Sequence, residues 1–94
     1  MELISLAQIN EYLAGAPNWN LEDNGKSIVR AFEFSNFQEA VNFINKVAEI
    51  AEREEHHPNI RLYDYNKVEL TLTTHSLGGL TEKDFNLAGK IDKL

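Results

Sequence analysis

The segment Val68-Glu69-Leu70-Thr71-Leu72-Thr73-Thr74-His75 is the clearest structural signal in the chain, because apolar and polar side chains alternate along most of it. Successive side chains of a β-strand point to opposite faces of the sheet. Two sets of side chains therefore lie on opposite faces: Val68, Leu70, Leu72 and Thr74 on one, and Glu69, Thr71, Thr73 and His75 on the other. We predict a strand over 68–74 that turns one face toward the core.

Three further strands are predicted before this one. The four predicted ranges are 19–21, 28–34, 60–65 and 68–74. Turn residues separate them in pairs, Asp23-Asn24-Gly25 in the first pair and Asn66-Lys67 in the second. Such short connections indicate antiparallel pairs. Arg30 makes the second strand imperfect, because it falls on the face that otherwise carries apolar side chains.

Three helices are predicted from capping boxes, in which an N-cap side chain and a residue three positions later satisfy free backbone N–H groups. The boxes are Ser5–Gln8, Ser35–Gln38 and Thr81–Asp84. Gly15 with Pro17 ends the first helix, and the second is predicted to run to about His56. The last helix is predicted to face inward with Leu87, Ala88, Ile91 and Leu94.

The resulting order is α-β-β-α-β-β-α in one domain, 1–94, without linkers or repeats. It indicates the α+β class, with a four-stranded antiparallel sheet and the helices packed on one face.

The longest helix carries more apolar surface than one small sheet is expected to cover. Its main stripe is interpreted as Phe37, Val41, Ile44, Ala48 and Ala51, and a flank of Phe43, Val47 and Ile50 widens it. We expect this flank to pack against another subunit, giving a homodimer or homotetramer through the 36–56 helix or the sheet edges.

Composition excludes several classes of protein. A net charge of −6 without any basic run argues against nucleic-acid binding, which depends on clustered Lys and Arg. Cysteine is absent, so disulfides, thiolate metal sites and cysteine nucleophiles are excluded. No apolar stretch approaches the roughly 20 residues that cross a bilayer, and residues 1–4 do not resemble a signal peptide. We expect a cytoplasmic protein that binds no membrane.

The three histidines carry most of the information about function. His56 and His57 end an acidic helix, and His75 follows the last predicted strand at the end of the hairpin that also holds Pro58. We therefore expect all three in one cleft. Histidine exchanges protons near neutral pH, so the cluster suits general acid–base chemistry. Glu52, four residues before His56 on a helix, is expected to orient that imidazole.

Several of these residues also have plain structural interpretations. Histidine suits a helix C-terminus, and proline commonly follows one. Glu52 and Glu55 fit a solvated acidic face, Asp84 fits a helix cap, and Trp19 fits core packing. Three histidines can also bind zinc, although adjacent ones diverge by about 100° on a helix, whereas helical zinc sites space them by four.

The sequence resembles the pterin-4a-carbinolamine dehydratase family in a specific set of motifs. They are Glu52 with His56-His57-Pro58, Tyr65-Asn66-Lys67-Val68, Thr74-His75 and Asp84. The resemblance extends to Pro17-Asn18-Trp19, to Phe32-Glu33-Phe34 and to residues 80–88, and so covers nearly the whole chain.

This resemblance implies an enzyme that removes water from 4a-hydroxytetrahydropterin to give quinonoid dihydropterin. It implies no metal and no organic cofactor, and assembly into dimers or tetramers. The family's catalytic groups carry over to His56, His57 and His75. Residues expected to bind or orient the pterin are Glu52, Glu55, Pro58, Thr74, Asp84 and Trp19.

A non-enzymatic interaction protein of the same fold is the alternative. Animal members of the family also serve as dimerisation cofactors for a homeodomain transcription factor, and some relatives assist protein assembly. Relatives without activity tend to lose the histidine motif, which this chain retains. The retained motif favours the enzyme.

Overall fold

A single antiparallel sheet of four strands organises the chain in the computed structural model, which describes all residues 1–94. The strands are β1 (Asn20–Leu21), β2 (Ile28–Glu33), β3 (Asn59–Tyr63) and β4 (Lys67–Leu72). Their order in the sheet is β1-β2-β4-β3, so β4 lies inside and β3 forms an edge. Both hairpins are antiparallel, as their short connections predict, and β2 also pairs antiparallel with β4.

Three helices complete the predicted order of elements. They are α1 (Leu6–Ala14), α2 (Phe37–Glu54) and α3 (Glu82–Ile91). The predicted capping boxes of α1, at Ser5 and Gln8, and of α3, at Thr81 and Asp84, are both formed. The α+β class and the order α-β-β-α-β-β-α are therefore confirmed.

The core lies between the helices and one face of the sheet. Val68, Leu70 and Leu72 of β4 are fully buried, whereas the intervening Glu69 and Thr71 are only partly covered. This alternation is the one predicted from the sequence. The core is completed mainly by apolar residues of the helices and of β2, among them Ile9, Ile28, Ala40, Val47, Leu87, Ala88 and Ile91.

Arg30 interrupts the apolar pattern of β2 without placing an unpaired charge in the core. Its guanidinium forms an ion pair with Asp92 and lies 4.4 Å from the ring centroid of Phe32. Asp92 also accepts a hydrogen bond of 2.9 Å from Nε1 of Trp19. These contacts tie the end of α3 to the sheet and to the buried indole.

The structure corrects the boundaries of α2. Its N-cap is Asn36, whose side chain accepts from the Glu39 N–H, so the predicted box at Ser35 and Gln38 is displaced by one residue. Asparagine caps as well as serine does, and the Glu39 carboxylate accepts from the Ser35 N–H. The helix ends at Glu54 and not at about His56.

The face of α2 that packs on the core agrees only in part with the one expected. Ala40, Val47 and Ala51 are buried, and the supposed flank packs against the core. Of the expected main stripe, Ile44 and Ala51 pack inward as expected, whereas Phe37 is 54% exposed and Ala48 is exposed. Both stripes have helical spacing, so periodicity alone could not identify the buried one.

Two smaller corrections concern a turn and the chain end. The turn between β3 and β4 is at 64–66 and not at Asn66-Lys67, because Asp64 and Tyr65 adopt positive φ angles of 46° and 55°. Leu94, expected to face inward, is 51% exposed because α3 ends at Ile91.

None of the three helices combines the length and the apolar character that crossing a lipid bilayer requires.

Candidate active site

The end of α2 gives the two adjacent histidines different directions. Glu55 adopts a left-handed conformation with φ of 53°, and the His56 N–H bonds back to the Ala51 carbonyl at 3.1 Å. This arrangement terminates the helix with a reversal of the chain. His56 and His57 therefore lie beyond the helix, where the 100° spacing of helical side chains no longer applies.

His56 turns inward and meets a buried carboxylate. Its Nε2 lies 2.6 Å from Oδ1 of Asp84, which is fully buried at the start of α3, and the His56 side chain is 11% exposed. Asp84 thus lies behind His56 without itself lining the cleft, and it also serves as part of the helix cap. Its two roles use different oxygens.

Two threonines hold the other oxygen of Asp84. Oδ2 accepts from Thr74 Oγ1 at 2.9 Å and from the Thr81 N–H at 3.0 Å. The Thr74 hydroxyl has one proton, which it donates to Asp84. In the 2.8 Å contact between the Thr74 and Thr81 hydroxyls, Thr81 is therefore the donor. An ionised Asp84 can only accept hydrogen bonds, so the proton of the His56–Asp84 contact is assigned to His56 Nε2.

His57 turns outward and is the histidine that contacts Glu52. Its Nε2 lies 2.6 Å from Oε2 of Glu52, and the two side chains are 62% and 78% exposed. The sequence predicted that Glu52 would orient His56. That pairing is wrong, because the helical i, i+4 geometry on which it rests ends before His56 is reached.

His75 reaches the same cleft from the loop that follows β4. It begins a single 3-10 turn, His75–Leu77, directly after the residues that follow β4. The turn is closed by a bridge between Thr74 and Gly79, with the Thr74 N–H bonded to the Gly79 carbonyl at 2.8 Å. His75 is exposed and its side chain has no hydrogen-bond partner in the protein.

The three histidines line one open cleft of about 280 Å³. This size is near the lower end of small-ligand sites. The lining residues are Met1, Glu55, His56, His57, Thr73, Thr74, His75, Ser76 and Lys83.

Four lining residues are not found by reasoning from the sequence: Met1, Thr73, Ser76 and Lys83. Lys83 has the pattern of a solvent-facing charge, although its position next to Asp84 places it at the rim of any site that contains Asp84. Met1 gives no signal at all, because only the tertiary structure brings residue 1 to the histidines.

Four of the residues expected to bind or orient the pterin lie outside this lining: Trp19, Pro58, Glu52 and Asp84. Trp19 is 3% exposed, belongs to the hydrophobic core and donates to Asp92. Pro58 is half-buried beyond the histidine pair. Their positions agree with core packing for Trp19 and with chain direction for Pro58.

A larger cavity of about 390 Å³ lies elsewhere and has fewer side chains that could exchange protons near neutral pH. Its lining consists of Phe34, Glu39, Asn42, Phe43, Lys46 and Leu94. It contains no histidine, whereas the smaller cleft combines three proton-exchanging side chains with a buried carboxylate behind one of them. The cleft is therefore the better candidate site. No three His, Asp or Glu side chains converge closely enough to hold a metal ion.

Comparison with known proteins gives concordant results. The sequence model of the family described as pterin 4 alpha carbinolamine dehydratase matches residues 2–94. A protein of Chloroflexus aggregans, provisionally named pterin-4-alpha-carbinolamine dehydratase, is 50% identical over 94 residues, which are 100% of this chain and 98% of the relative. A protein of Sulfolobus acidocaldarius with the same provisional name is 45% identical over 87 residues, or 93% and 92% of the two chains.

Two solved structures share the fold. A transcriptional coactivator/pterin dehydratase from Brucella melitensis superposes with a TM-score of 0.91 at 35% identity, covering 98% of this chain and 97% of that one. A pterin dehydratase-like protein described as a RuBisCO assembly factor of the alpha-carboxysome superposes with a TM-score of 0.69 at 22% identity, covering 81% and 87%. The second likeness concerns the fold alone. With a family match over residues 2–94 and relatives about half identical over their full length, this chain belongs to the pterin-4a-carbinolamine dehydratase family.

Proposed function

We propose that this protein dehydrates 4a-hydroxytetrahydropterin to quinonoid dihydropterin by histidine acid–base catalysis, as a step in tetrahydropterin recycling. The observation that supports this most is the convergence of His56, His57 and His75 on one cleft, with buried Asp84 behind His56. Membership of the dehydratase family supports the reaction class.

The reaction needs one proton delivered and one removed. The C4a–O bond breaks and the hydroxyl leaves as water after an acid has protonated it. The N5 lone pair forms the C4a=N5 double bond while a base takes the proton from N5. Each positioned proton transfer typically contributes about 10²–10⁴-fold in rate. Two or more histidines in one cleft can supply the acid and the base together.

His56 is the most constrained of the proton carriers. Asp84 occupies Nε2, and Nδ1 has no hydrogen-bond partner in the protein, so Nδ1 is the nitrogen that exchanges a proton with the ligand. Asp84 is fully buried and its oxygens already accept hydrogen bonds. It therefore acts through His56 and does not bind the pterin itself.

His75 is the second group proposed to set the rate, and His57 contributes partly to binding. His75 has no protein partner and is free to meet the ligand. His57 is held by Glu52 at the exposed side of the cleft. Glu52 and Glu55 are acceptors suited to the N3–H and 2-amino donors of a pterin. Thr74 keeps Asp84 in place.

The reaction can be tested by generating 4a-hydroxytetrahydropterin with an aromatic hydroxylase and following its ultraviolet decay. Unmodified protein should accelerate the decay, a His56→Ala/His75→Ala double variant should leave it near the uncatalysed rate, and His57→Ala should retain most of kcat with a raised KM. Background decay with folded unmodified protein would reject the dehydratase. A His75→Ala variant with full turnover would reject the role of His75.

An interaction protein is the second candidate, and one observation favours it. Phe37 and Ala48 of α2 are exposed and Val41 is partly exposed, which leaves an apolar stripe outside the core. The Brucella melitensis relative is also described as a transcriptional coactivator. Isothermal titration with a reduced pterin analogue separates the two functions, since an interaction module would not bind it.

We also propose that copies of this chain associate through the exposed stripe of α2 or through the β3 edge. The edge strand β3 leaves one row of backbone groups without a strand partner, and Ile60 on it is 39% exposed. Either surface would become buried in a homodimer, and both together in a homotetramer.

A further inference from the structure

Residues Met1–Ile4 lie against the loop that carries His75. The Ile4 N–H donates to the Leu80 carbonyl at 3.0 Å. Leu3 packs on Gly79 so closely that a Cβ there would come within 2.9 Å of Leu3 Cδ2. These two contacts place Met1 at the cleft, beside the histidines that converge there.

Met1 differs chemically from the rest of the cleft. Of the nine lining residues it is the only hydrophobic one. Sites for flat small molecules usually offer apolar contact to the ring, with a few polar groups that fix orientation. Here the polar groups are abundant and the apolar contact is scarce. The unbranched thioether side chain of methionine adapts well to a ring face.

Ile4 packs on the core, but the first residues of the segment can adjust without disturbing it. Among the backbone hydrogen bonds, that of Ile4 is the only one made by residues 1–4. Met1 and Leu3 are 67% and 51% exposed. A second cavity of about 250 Å³, lined by residues 1–4 with Gln8 and Glu82, lies along the same segment. Movement of Met1 toward a ligand therefore costs little packing.

We propose that Met1 packs on the ring of the bound pterin and that Leu3 and Ile4 hold it there. Met1 is thus a substrate-packing residue that sets affinity and not the rate of proton transfer. This inference rests on the proposed function, whose site it completes with an apolar contact.

The composition of the chain makes the contact directly observable. Met1 is the only methionine, so protein labelled with methyl-13C methionine gives a single methyl signal. The probe is 7,8-dihydropterin, which keeps the bicyclic ring and lacks the C4a hydroxyl. Binding should shift the methyl signal, because a ring lies against it.

Oxidation of Met1 provides the functional readout. Hydrogen peroxide transfers one oxygen to the sulfur, giving methionine sulfoxide and water, and the chain has no cysteine to compete. The sulfoxide is polar, so dihydropterin affinity should fall and KM should rise, each by about 3- to 10-fold for one partly exposed apolar contact. kcat should stay within about twofold.

Two controls isolate the contact. Protein that carries norleucine at position 1 has no sulfur, so its dihydropterin affinity should not change on peroxide treatment. Leu3→Ala should raise KM, whereas Leu6→Ala, a similarly exposed leucine at the start of α1 and outside the cleft lining, should not.

The outcomes separate this inference from the proposed reaction. A methyl shift on dihydropterin binding without any dehydration by the unmodified protein would reject the reaction and keep the contact. Dehydration with an unmoved methyl signal and unchanged affinity after oxidation would overturn the contact alone. Failure of dihydropterin to bind would overturn both.

Discussion

At the scale of single residues, Glu55 separates two histidines that are adjacent in sequence. Its left-handed backbone ends α2, and the next two side chains diverge to Asp84 and to Glu52. A non-glycine residue in this conformation is strained by roughly 1–2 kcal/mol. Glu55 thus lowers the stability of the fold, and its side chain lines the cleft.

Replacing Glu55 by glycine should relieve this strain. We expect Glu55→Gly to raise the free energy of unfolding by about 0.5–1 kcal/mol, since glycine adopts the left-handed region without a Cβ clash. Arg53→Gly, at an exposed helical position of α2, should instead lower it by about 1 kcal/mol. Urea unfolding measures both, and a destabilised Glu55→Gly protein would show that the left-handed residue carries no strain.

Asp84 is predicted to be a positioning residue. Asp84→Asn should lower kcat by about 10²-fold with KM changed less than threefold and should alter the pH–rate profile, because the His56 imidazole loses its charged partner and its fixed tautomer. Thr74→Val, which removes one hydrogen bond to Asp84, should have a smaller effect in the same direction.

Asp92→Asn is the matched control for this substitution. Asp92 also accepts from a ring N–H, that of Trp19, but lies outside the cleft lining. The Asp92→Asn protein should be less stable than the unmodified protein, and its pH–rate profile should be unchanged. Steady-state kinetics with circular dichroism decide the matter, and a fully active, folded Asp84→Asn protein would contradict the assignment.

At the scale of elements, α2 connects the core, the cleft and α3. Its buried face packs on the sheet, its end places the histidines, and Glu54 near that end accepts a hydrogen bond of 2.7 Å from Lys90 of α3. That hydrogen bond, with the charge of Lys90, lowers the pKa of Glu54 below its ordinary value of 4.5. The pair links the helix that ends just before His56 to the helix that carries Asp84.

The lowered pKa gives this link a defined pH dependence. A carboxyl whose pKa is lower in the folded state stabilises the fold above its unfolded pKa, and that stabilisation is lost as the pH falls through the folded pKa. Glu54→Gln should therefore lower Tm at pH 7 and have no effect at about pH 2, where both forms are neutral.

Glu49→Gln, also on α2 but without an ion pair, should change Tm little at either pH. Thermal melts followed by circular dichroism at the two pH values measure the difference. An equal loss of Tm for Glu54→Gln at both would show that the ion pair is not its cause.

At the scale of the whole molecule, two surfaces of the fold are left without partners. One is the exposed stripe of α2, and the other is the edge strand β3. With a net charge of −6, association of identical chains must overcome mutual repulsion, so apolar contact has to supply the favourable free energy.

We expect the native mass in solution to be a multiple of the monomer mass. Val41→Lys should reduce it, because a charge would be buried in the α2 interface, whereas Asn45→Lys, which changes an exposed polar position of the same helix, should not. Size-exclusion chromatography with light scattering gives the mass. A pure monomer of the unmodified chain at micromolar concentration would remove the proposed interface.

Local patterns in the sequence were sufficient to predict the fold class, the order of elements and the histidine cluster. Strict alternation along β4, the capping boxes of α1 and α3 and the short turns are local signals, each set by the residues that display it. The same local signals predicted that His75 lies near His56 and His57, because antiparallel pairing of β3 and β4 fixes which strand ends meet.

The contact partners of individual side chains, in contrast, depend on long-range packing. The two apolar stripes of α2 have the same period, and packing on the core buried Ala40, Val47 and Ala51 while Phe37 and Ala48 stayed exposed. Glu52 paired with His57 because a single left-handed residue redirected the chain. Met1 reached the cleft through contacts with residues nearly 80 positions away, and such long-range packing leaves no trace in the local pattern of the sequence.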